Sequence, residues 1–151
     1  MAATQGDQSS MALKSFRELR VWQSGMDLAV RAYRLTRVFP NPELYGLASQ
    51  IQRAVVSVPC NIAEGYAREH TKEYLNHISI AQGSLAELET QLELAHRLEY
   101  VNSEELAEAI GDVHALARQL YALRNSLRPK LGAASALLLS ISVLAVLLTR
   151  P

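Results

Sequence analysis

At 151 residues, with 49% apolar and only 6% aromatic side chains, the chain has the size of one domain that can bury a core. Leu and Ala dominate and strand-like alternation never persists, so the composition favours an all-α protein. The single cysteine, Cys60, excludes an internal disulfide and fits a reducing cytoplasm.

Residues 1–14 are polar and show no periodicity, which predicts a disordered leader, and Met11 offers an alternative start. They contain no apolar signal-peptide core, so a cytoplasmic location is expected. The first helix is predicted from about Phe16 to Val38, because apolar residues recur there at spacings of three and four. This predicted buried stripe consists of Leu19, Trp22, Met26, Ala29 and Tyr33.

The second helix is predicted from about Pro42 to Tyr66, after the punctuation of Pro40-Asn41-Pro42. Its apolar stripe consists of Leu44, Leu47, Ile51, Val55, Val58 and Ile62. Pro59 lies inside it and is expected to bend it, since an interior proline costs about 3 kcal/mol. Such a residue indicates that this helix has a more specific role than filling a core.

Two further amphipathic helices follow. The third is predicted from an N-cap at Thr71 to about Tyr100, and the fourth from Asn102-Ser103 to a stop at Pro129. Four amphipathic helices with short connections predict an up-down-up-down four-helix bundle over residues 15–128.

Residues 129–151 form an apolar C-terminal segment. Positions 131–149 contain no charge, and Arg124, Arg128 and Lys130 precede them. As a helix these nineteen residues would span about 28 Å, close to the roughly 30 Å hydrocarbon core of a bilayer. The segment is either a membrane span that anchors the protein to the inner membrane, or an extra apolar helix lying on the bundle or in an oligomer.

Polar residues at steps of three and four occupy one face of the second helix, and Arg68 lies four residues beyond Glu64, where an ion pair can form. On the third helix, Gly83 and Ser84 would permit close helix approach, and Glu87 follows one turn later. The interpretation is a polar seam that fixes helix register or subunit contacts; the alternative is a ligand or nucleic-acid surface. The seam consists of Gln50, Arg53, Ser57, Asn61, Glu64, Arg68, Ser84 and Glu87.

Catalytic and metal sites find little support. Glu93 and His96 form one Glu-x-x-His motif, whereas a di-iron bundle needs two such motifs and two more glutamates. Glu73 and His77, with His70 nearby, could hold only a stray ion. Cys60 has no histidine at helical spacing and is predicted to be a buried small residue. No enzyme activity, cofactor or physiological metal is therefore predicted.

The charge is zero overall but uneven: +3 over residues 1–60, −8 over 61–113 and +5 over 114–151. Helices of opposite charge can simply neutralise each other, or a basic face can meet phosphates. For the second case, arginines on the first and last helices form a possible basic stripe, and a ring would multiply it. Trp22 and Tyr33 lie on the apolar stripe, so they are not expected to stack on bases. The candidate nucleic-acid contacts are Arg17, Arg20, Arg31, Arg34, Arg37, Arg118, Arg124 and Arg128.

Several short motifs occur in a specific order along about three quarters of the chain. They are Leu19 to Trp22, Gln50 with Arg53-Ala54, Ser57-Val58-Pro59, Asn61, Ala63-Glu64-Gly65, Arg68, Ala81-Gln82-Gly83-Ser84 and Glu87. In these motifs the chain resembles the S23-like four-helix-bundle family first noticed as products of intervening sequences in large-subunit ribosomal RNA genes.

The resemblance implies a homopentameric barrel of four-helix bundles. It also implies kinship in fold with the accessory variability determinant of diversity-generating retroelements, which works with a reverse transcriptase and RNA. That protein depends on a markedly basic surface, whereas this chain has no net charge. The apolar tail is a second departure, because the family usually ends soon after the fourth helix.

Two hypotheses follow. The first is a homo-oligomeric accessory protein that associates with RNA or with a nucleic-acid enzyme through its arginine-bearing helices. The second is an oligomeric scaffold for protein partners, tethered to the membrane through residues 131–149.

Overall fold

The computed structural model describes residues 14–148, with side chains described over 14–129. In this part of the chain, two short 3-10 turns, Phe16–Glu18 and Asn41–Leu44, accompany four α-helices, and no residue lies in a strand. The predicted all-α class is therefore confirmed. The helices are α1 (Arg20–Thr36), α2 (Leu47–Tyr66), α3 (Thr71–Arg97) and α4 (Ser103–Leu148).

The helices pack in a square. α1 contacts α2 and α4, α3 contacts the same two helices, and the diagonal pairs do not touch in the described region. Since short turns connect consecutive helices, neighbours run antiparallel, as an up-down-up-down bundle requires. The α2–α3 contact is the most extensive and the α1–α4 contact the least.

The core is aliphatic. Leu28 on α1 belongs to one buried cluster with branched side chains from α2, α3 and α4, each with at most 2% of its surface exposed. Burial of each such side chain is worth roughly 1.5–3 kcal/mol. The fully buried set from α2 to α4 is Ile51, Val55, Val58, Ile62, Ile78, Leu88, Leu92, Val113, Leu116 and Leu120.

The predicted stripe of the first helix is wrong at two of its five positions, whereas Ala29 is buried and Leu19 and Trp22 pack against the core. Met26 and Tyr33 are 41% and 45% exposed, and the buried face instead includes Val21, Gly25, Leu28, Ala29, Ala32 and Thr36. Small residues form this face because α1 approaches α2 closely: a Cβ on Gly25 would lie 3.4 Å from the Cβ of Pro59. The spacing of large apolar residues therefore does not identify the whole buried face of α1. Leu44, placed on the second stripe, is likewise 53% exposed.

Pro59 is buried inside α2, which continues through it from Leu47 to Tyr66. Its ring packs on Gly25, so the proline fits where α1 offers no side chain. Pro59 thus removes one backbone hydrogen bond of α2 at a place where α1 and α2 pack closely.

Several helix ends differ from prediction. α1 begins at Arg20 rather than about Phe16, and α2 begins at Leu47 rather than about Pro42, after the 3-10 turn Asn41–Leu44. His70, and not Thr71, is the N-cap of α3, and its side chain makes no capping bond. Asn102 caps α4 as predicted, since its Oδ1 accepts the backbone N–H groups of Glu104 and Glu105 at 3.0 and 2.9 Å. Pro129 does not stop α4, which continues to Leu148. Because Pro129 and Asn125 are both exposed, the carbonyl that Pro129 leaves unpaired can be hydrated.

Two predictions fall outside the described residues. The leader lies almost wholly in residues 1–13, and the apolar character of 131–149 concerns side chains that are not described. Over residues 14–129, no helix has the length and hydropathy needed to cross a bilayer. The membrane span stays a prediction.

Candidate functional site at the α2–α3 interface

A chain of hydrogen bonds, here called the polar relay, joins α2 to α3 through Ser84, Ser57, Asn61 and His77. The hydroxyl oxygens of Ser57 and Ser84 lie 2.8 Å apart. Asn61 Nδ2 donates to the carbonyl oxygen and the Oγ of Ser57, at 2.9 and 3.1 Å. Asn61 Oδ1 lies 3.0 Å from His77 Nδ1. The relay thus satisfies polar groups that the helix contact partly buries.

The relay fixes the tautomer of His77. Both donor contacts of Asn61 go to Ser57, so its Oδ1 faces the ring and can only accept. Nδ1 of His77 must therefore hold the proton, which leaves Nε2 with a free lone pair in the neutral ring. Glu64 Oε2 lies 3.7 Å from the same Nδ1, close enough to attract the protonated ring.

Gly65 allows the two helices to meet at this point. A Cβ on Gly65 would lie 2.6 Å from Cδ2 of Tyr74 and 2.9 Å from the Cβ of His77. Both distances are shorter than real contacts, so any larger residue would push α3 outward and displace His77. Gly83, by contrast, has open space at its Cβ position, so the predicted close approach at Gly83 does not occur within this chain.

The predicted seam divides into an inner and an outer part. Ser57, Asn61 and Ser84 come together in the relay, whereas Gln50, Arg53, Glu64, Arg68 and Glu87 are exposed. Arg53 Nη1 donates to Ser49 Oγ at 3.1 Å. Among the described side chains, Arg68 makes no ion pair with Glu64.

Two polar residues on this side of α3, His77 and Gln91, are missing from the predicted seam. His77 belongs to the relay, and Gln91 is 7% exposed, with Nε2 donating to Glu87 Oε1 at 2.9 Å and Oε1 lacking a partner in the described structure. His77, Ser84 and Gln91 are seven residues apart, so they share one face of α3. That spacing was a usable signal.

Some arginines of the predicted basic stripe contact other residues of the chain. Arg31 is clasped by α4, with Nη1 2.7 Å from Glu108 and Nε 2.7 Å from Asp112. Burial opposes its charge, but Asp112 and Glu108 outweigh that effect and raise the pKa of the guanidinium. Arg124 donates to Gln82 Oε1 at 3.1 Å, and Arg17 lies over the Phe16 ring at 4.7 Å. The other predicted contacts are exposed: Arg20, Arg34, Arg37, Arg118 and Arg128.

Topology concentrates positive charge at one end of the bundle, here called the basic end. The antiparallel order of the helices directs the start of α1, the α2–α3 turn and the second half of α4 towards this end, with Arg124 bonded to Gln82 three turns into α3. Its acidic side chains are Glu18, Glu64, Glu69 and Glu73; its basic ones are Lys14, Arg17, Arg20, Arg68, Lys72, Arg124 and Arg128. The opposite end carries more acidic than basic side chains, with Glu43, Glu99, Glu104, Glu105 and Glu108 against Arg34, Arg37 and Arg97.

The other candidate reactive groups either bind structural partners or are exposed to solvent. His96 Nδ1 is 2.8 Å from the Val101 carbonyl and secures the α3–α4 turn, and His114 Nε2 is 3.0 Å from Glu89. Cys60 is exposed, so its predicted burial is wrong. In the region with described side chains, no three His, Cys, Asp or Glu residues cluster as a metal would need.

Two apolar stripes face outward from diagonal helices. Met26, Val30 and Tyr33 lie on successive turns of α1 and are 41–47% exposed. Leu94 and Leu98 on α3 are 47% and 45% exposed. Stripes of this kind, rather than single exposed residues, mark interaction surfaces.

Comparison with known proteins agrees with this architecture. A family model described as 23S rRNA-intervening sequence protein matches residues 17–122. A crystal structure of a protein with unknown function from the S23 ribosomal protein family of Bacteroides thetaiotaomicron is similar in fold, with a TM-score of 0.65 and 25% sequence identity. The alignment covers 70% of this chain and 95% of that one. No curated protein matches the chain.

Proposed function

Since the chain belongs to the 23S rRNA-intervening sequence protein family, we propose that it is a non-enzymatic, homo-oligomeric accessory protein that associates with RNA or with an enzyme acting on nucleic acid. The observation that supports this most is the basic end, where cations from three parts of the chain gather although the net charge is zero. Such a surface attracts phosphates without reading sequence.

The exposed apolar stripes support assembly. The α1 stripe and the α3 stripe lie on different helices, so one copy can present the first to the second of its neighbour. A head-to-tail contact of this kind forms a ring when the rotation between neighbours closes. A pentamer is the number that the family resemblance implies, and it would bring five basic ends together.

RNA retention over a salt series tests the proposal. The full chain should retain generic single-stranded RNA at 50 mM salt and lose most of it by about 0.5 M, because released counterions drive the binding. The double variant Arg20→Gln, Arg128→Gln should bind more weakly with a shallower salt slope. The matched control is Arg34→Gln, Arg37→Gln at the acidic end. Absence of retention at low salt, or equal losses in both doubles, would refute it.

Light scattering tests assembly separately. The mass of the purified chain should correspond to a closed ring, and Tyr33→Glu should lower it, because a charge on the α1 stripe opposes burial against another copy. A monomeric mass for the unaltered chain contradicts the oligomer. Lys14→Glu, away from both stripes, is the control.

A membrane-tethered scaffold is the alternative function. It is favoured by the uncharged stretch 131–149 and by the continuation of α4 as a helix to Leu148. Cell fractionation of the full chain against a chain ending at Arg128 decides between the two. If both remain in the soluble fraction, the tethered scaffold is wrong.

A further inference from the structure

We propose that a cleft beside the α2–α3 turn binds the phosphate group of a ribonucleotide, either a free nucleotide or a unit of an RNA strand. The cleft has a volume of about 530 Å³ and is lined by Arg68, Lys72, Glu73, Asn76 and His77. It lies at the basic end, and the inference rests on the proposed association with RNA.

Two cations face the cleft without a carboxylate partner in the described structure. Arg68 lies just beyond the end of α2, and Lys72 occupies the first turn of α3. A cation in the first turn of a helix opposes the helix dipole, so Lys72 is not placed there to stabilise α3. A phosphate between the two side chains would relieve that repulsion and accept hydrogen bonds from both.

His77 supplies an oriented nitrogen. Its Nδ1 proton is held by Asn61 at 3.0 Å, and Asn61 is held in turn by Ser57, so the ring has one orientation and one tautomer. The ring is 13% exposed, and it lines the cleft. In the neutral ring Nε2 can accept a hydrogen bond from a ribose hydroxyl or from a phosphate monoanion. In the protonated ring Nε2 donates to phosphate instead.

The remaining lining residues favour a nucleotide over a bare anion. Glu73 would repel an anion directly beside it, but its carboxylate accepts hydrogen bonds from hydroxyl groups, as the carboxylates of nucleotide-binding sites do from ribose. Asn76 can both donate and accept. A cleft lined by both cations and acceptors matches the phosphate and the hydroxyl groups of a ribose phosphate.

Calorimetric titration with 5′-AMP, adenosine and inorganic phosphate tests the cleft. We expect 5′-AMP to bind more tightly than either fragment, because it engages both the cations and the hydrogen-bond acceptors of the site. In the double variant Arg68→Gln, Lys72→Gln the affinity for 5′-AMP should fall by about tenfold or more, as expected for loss of charge-assisted bonds. The control double Arg37→Gln, Arg97→Gln, outside the cleft, should bind as the unaltered chain does.

The variant Glu73→Gln tests the role of the carboxylate separately from the role of the two cations. It should weaken 5′-AMP binding while leaving inorganic phosphate binding equal or stronger, because a negative charge leaves the cleft. A thermal melt of each variant checks that α3 remains folded. No 5′-AMP binding at millimolar concentration, or equal affinity in the cleft and control doubles, overturns the inference.

A 5′-phosphorylated RNA oligonucleotide distinguishes the two sources and the two proposals. If the cleft double binds that oligonucleotide as the unaltered chain does, the cleft inference fails while the association with RNA stands. If 5′-AMP binds in the cleft but no RNA is retained at low salt, the proposed function fails and the cleft holds a free nucleotide. Weaker binding of both ligands by the cleft double supports both proposals.

Discussion

Replacement of Gly65 by alanine should destabilise the protein, although alanine is the better helix former. In an open helical position the exchange gains about 0.5–1 kcal/mol, because glycine loses more backbone freedom on folding. At Gly65 the new Cβ would lie 2.6 Å from Tyr74 Cδ2 and 2.9 Å from His77 Cβ. Ordinary carbon contacts lie near 3.5–4.0 Å, so one side chain or α3 itself must move by roughly 1 Å.

Overpacking of that size costs about 1–3 kcal/mol, which exceeds the gain in helix propensity. We therefore expect a net loss of roughly 1–2 kcal/mol. Gly83 and Gly111 are the internal controls, since nothing lies within 4 Å of either Cβ position. Their alanine variants should each gain about 0.5–1 kcal/mol.

Urea unfolding followed by circular dichroism measures all three variants, with the mass of each determined beforehand so that only equal oligomers are compared. The midpoint should fall for Gly65→Ala and rise for the two controls. If Gly65→Ala raises the midpoint as the controls do, then α2 and α3 do not meet as closely as described. The account of the relay would then be wrong.

Three further outcomes are expected. Glu99 has φ = 61° after the end of α3, so Glu99→Gly should raise the urea midpoint by the equivalent of about 0.5–1 kcal/mol; an unchanged midpoint contradicts a left-handed residue there. Burial first, and nearby Tyr66 second, raises the pKa of Tyr74 to about 12. This folded-state pKa lies above the usual value of about 10. The neutral Tyr74 side chain therefore makes its full contribution to the free energy of unfolding below pH 10, and that contribution declines towards pH 12. The unaltered chain should therefore lose up to about 2 kcal/mol over that range and Tyr74→Phe should lose less; parallel pH curves would contradict it. Asn61→Leu removes the centre of the relay and should cost about 1–3 kcal/mol and disturb assembly; unchanged stability and unchanged mass by light scattering would exclude both roles.

Periodicity predicted the number and order of the helices, because each large aliphatic residue of α2, α3 and α4 reports one buried face. It failed in part on α1, where Gly25 and Ala32 belong to the buried face and the larger Met26 and Tyr33 face outward. Small residues give a weak hydropathy signal, yet they are what close packing on Pro59 requires. The sequence pattern alone could not reveal this.

The candidate site was predictable to a similar degree. Steps of three and four placed Ser57 and Asn61 on one face of α2, but their partner on α3 depends on the relative register of two helices. The close contact of Gly65 with Tyr74 and His77 contributes to that register, and helical spacing within α2 does not reveal it. Likewise, the pairing of Arg31 with Glu108 and Asp112 spans about eighty positions of sequence, so local spacing counted Arg31 as free.

The ion pairs of Arg31 lie at the helix contact where the bundle should open most easily. α2 and α3 share the widest contact and the polar relay, whereas α1 and α4 share the narrowest, with one guanidinium bridging two carboxylates at its surface. Breathing motions should therefore begin by α1 and α4 parting. In hydrogen exchange, amides of both helices on either side of Arg31 should lose protection before those of α2.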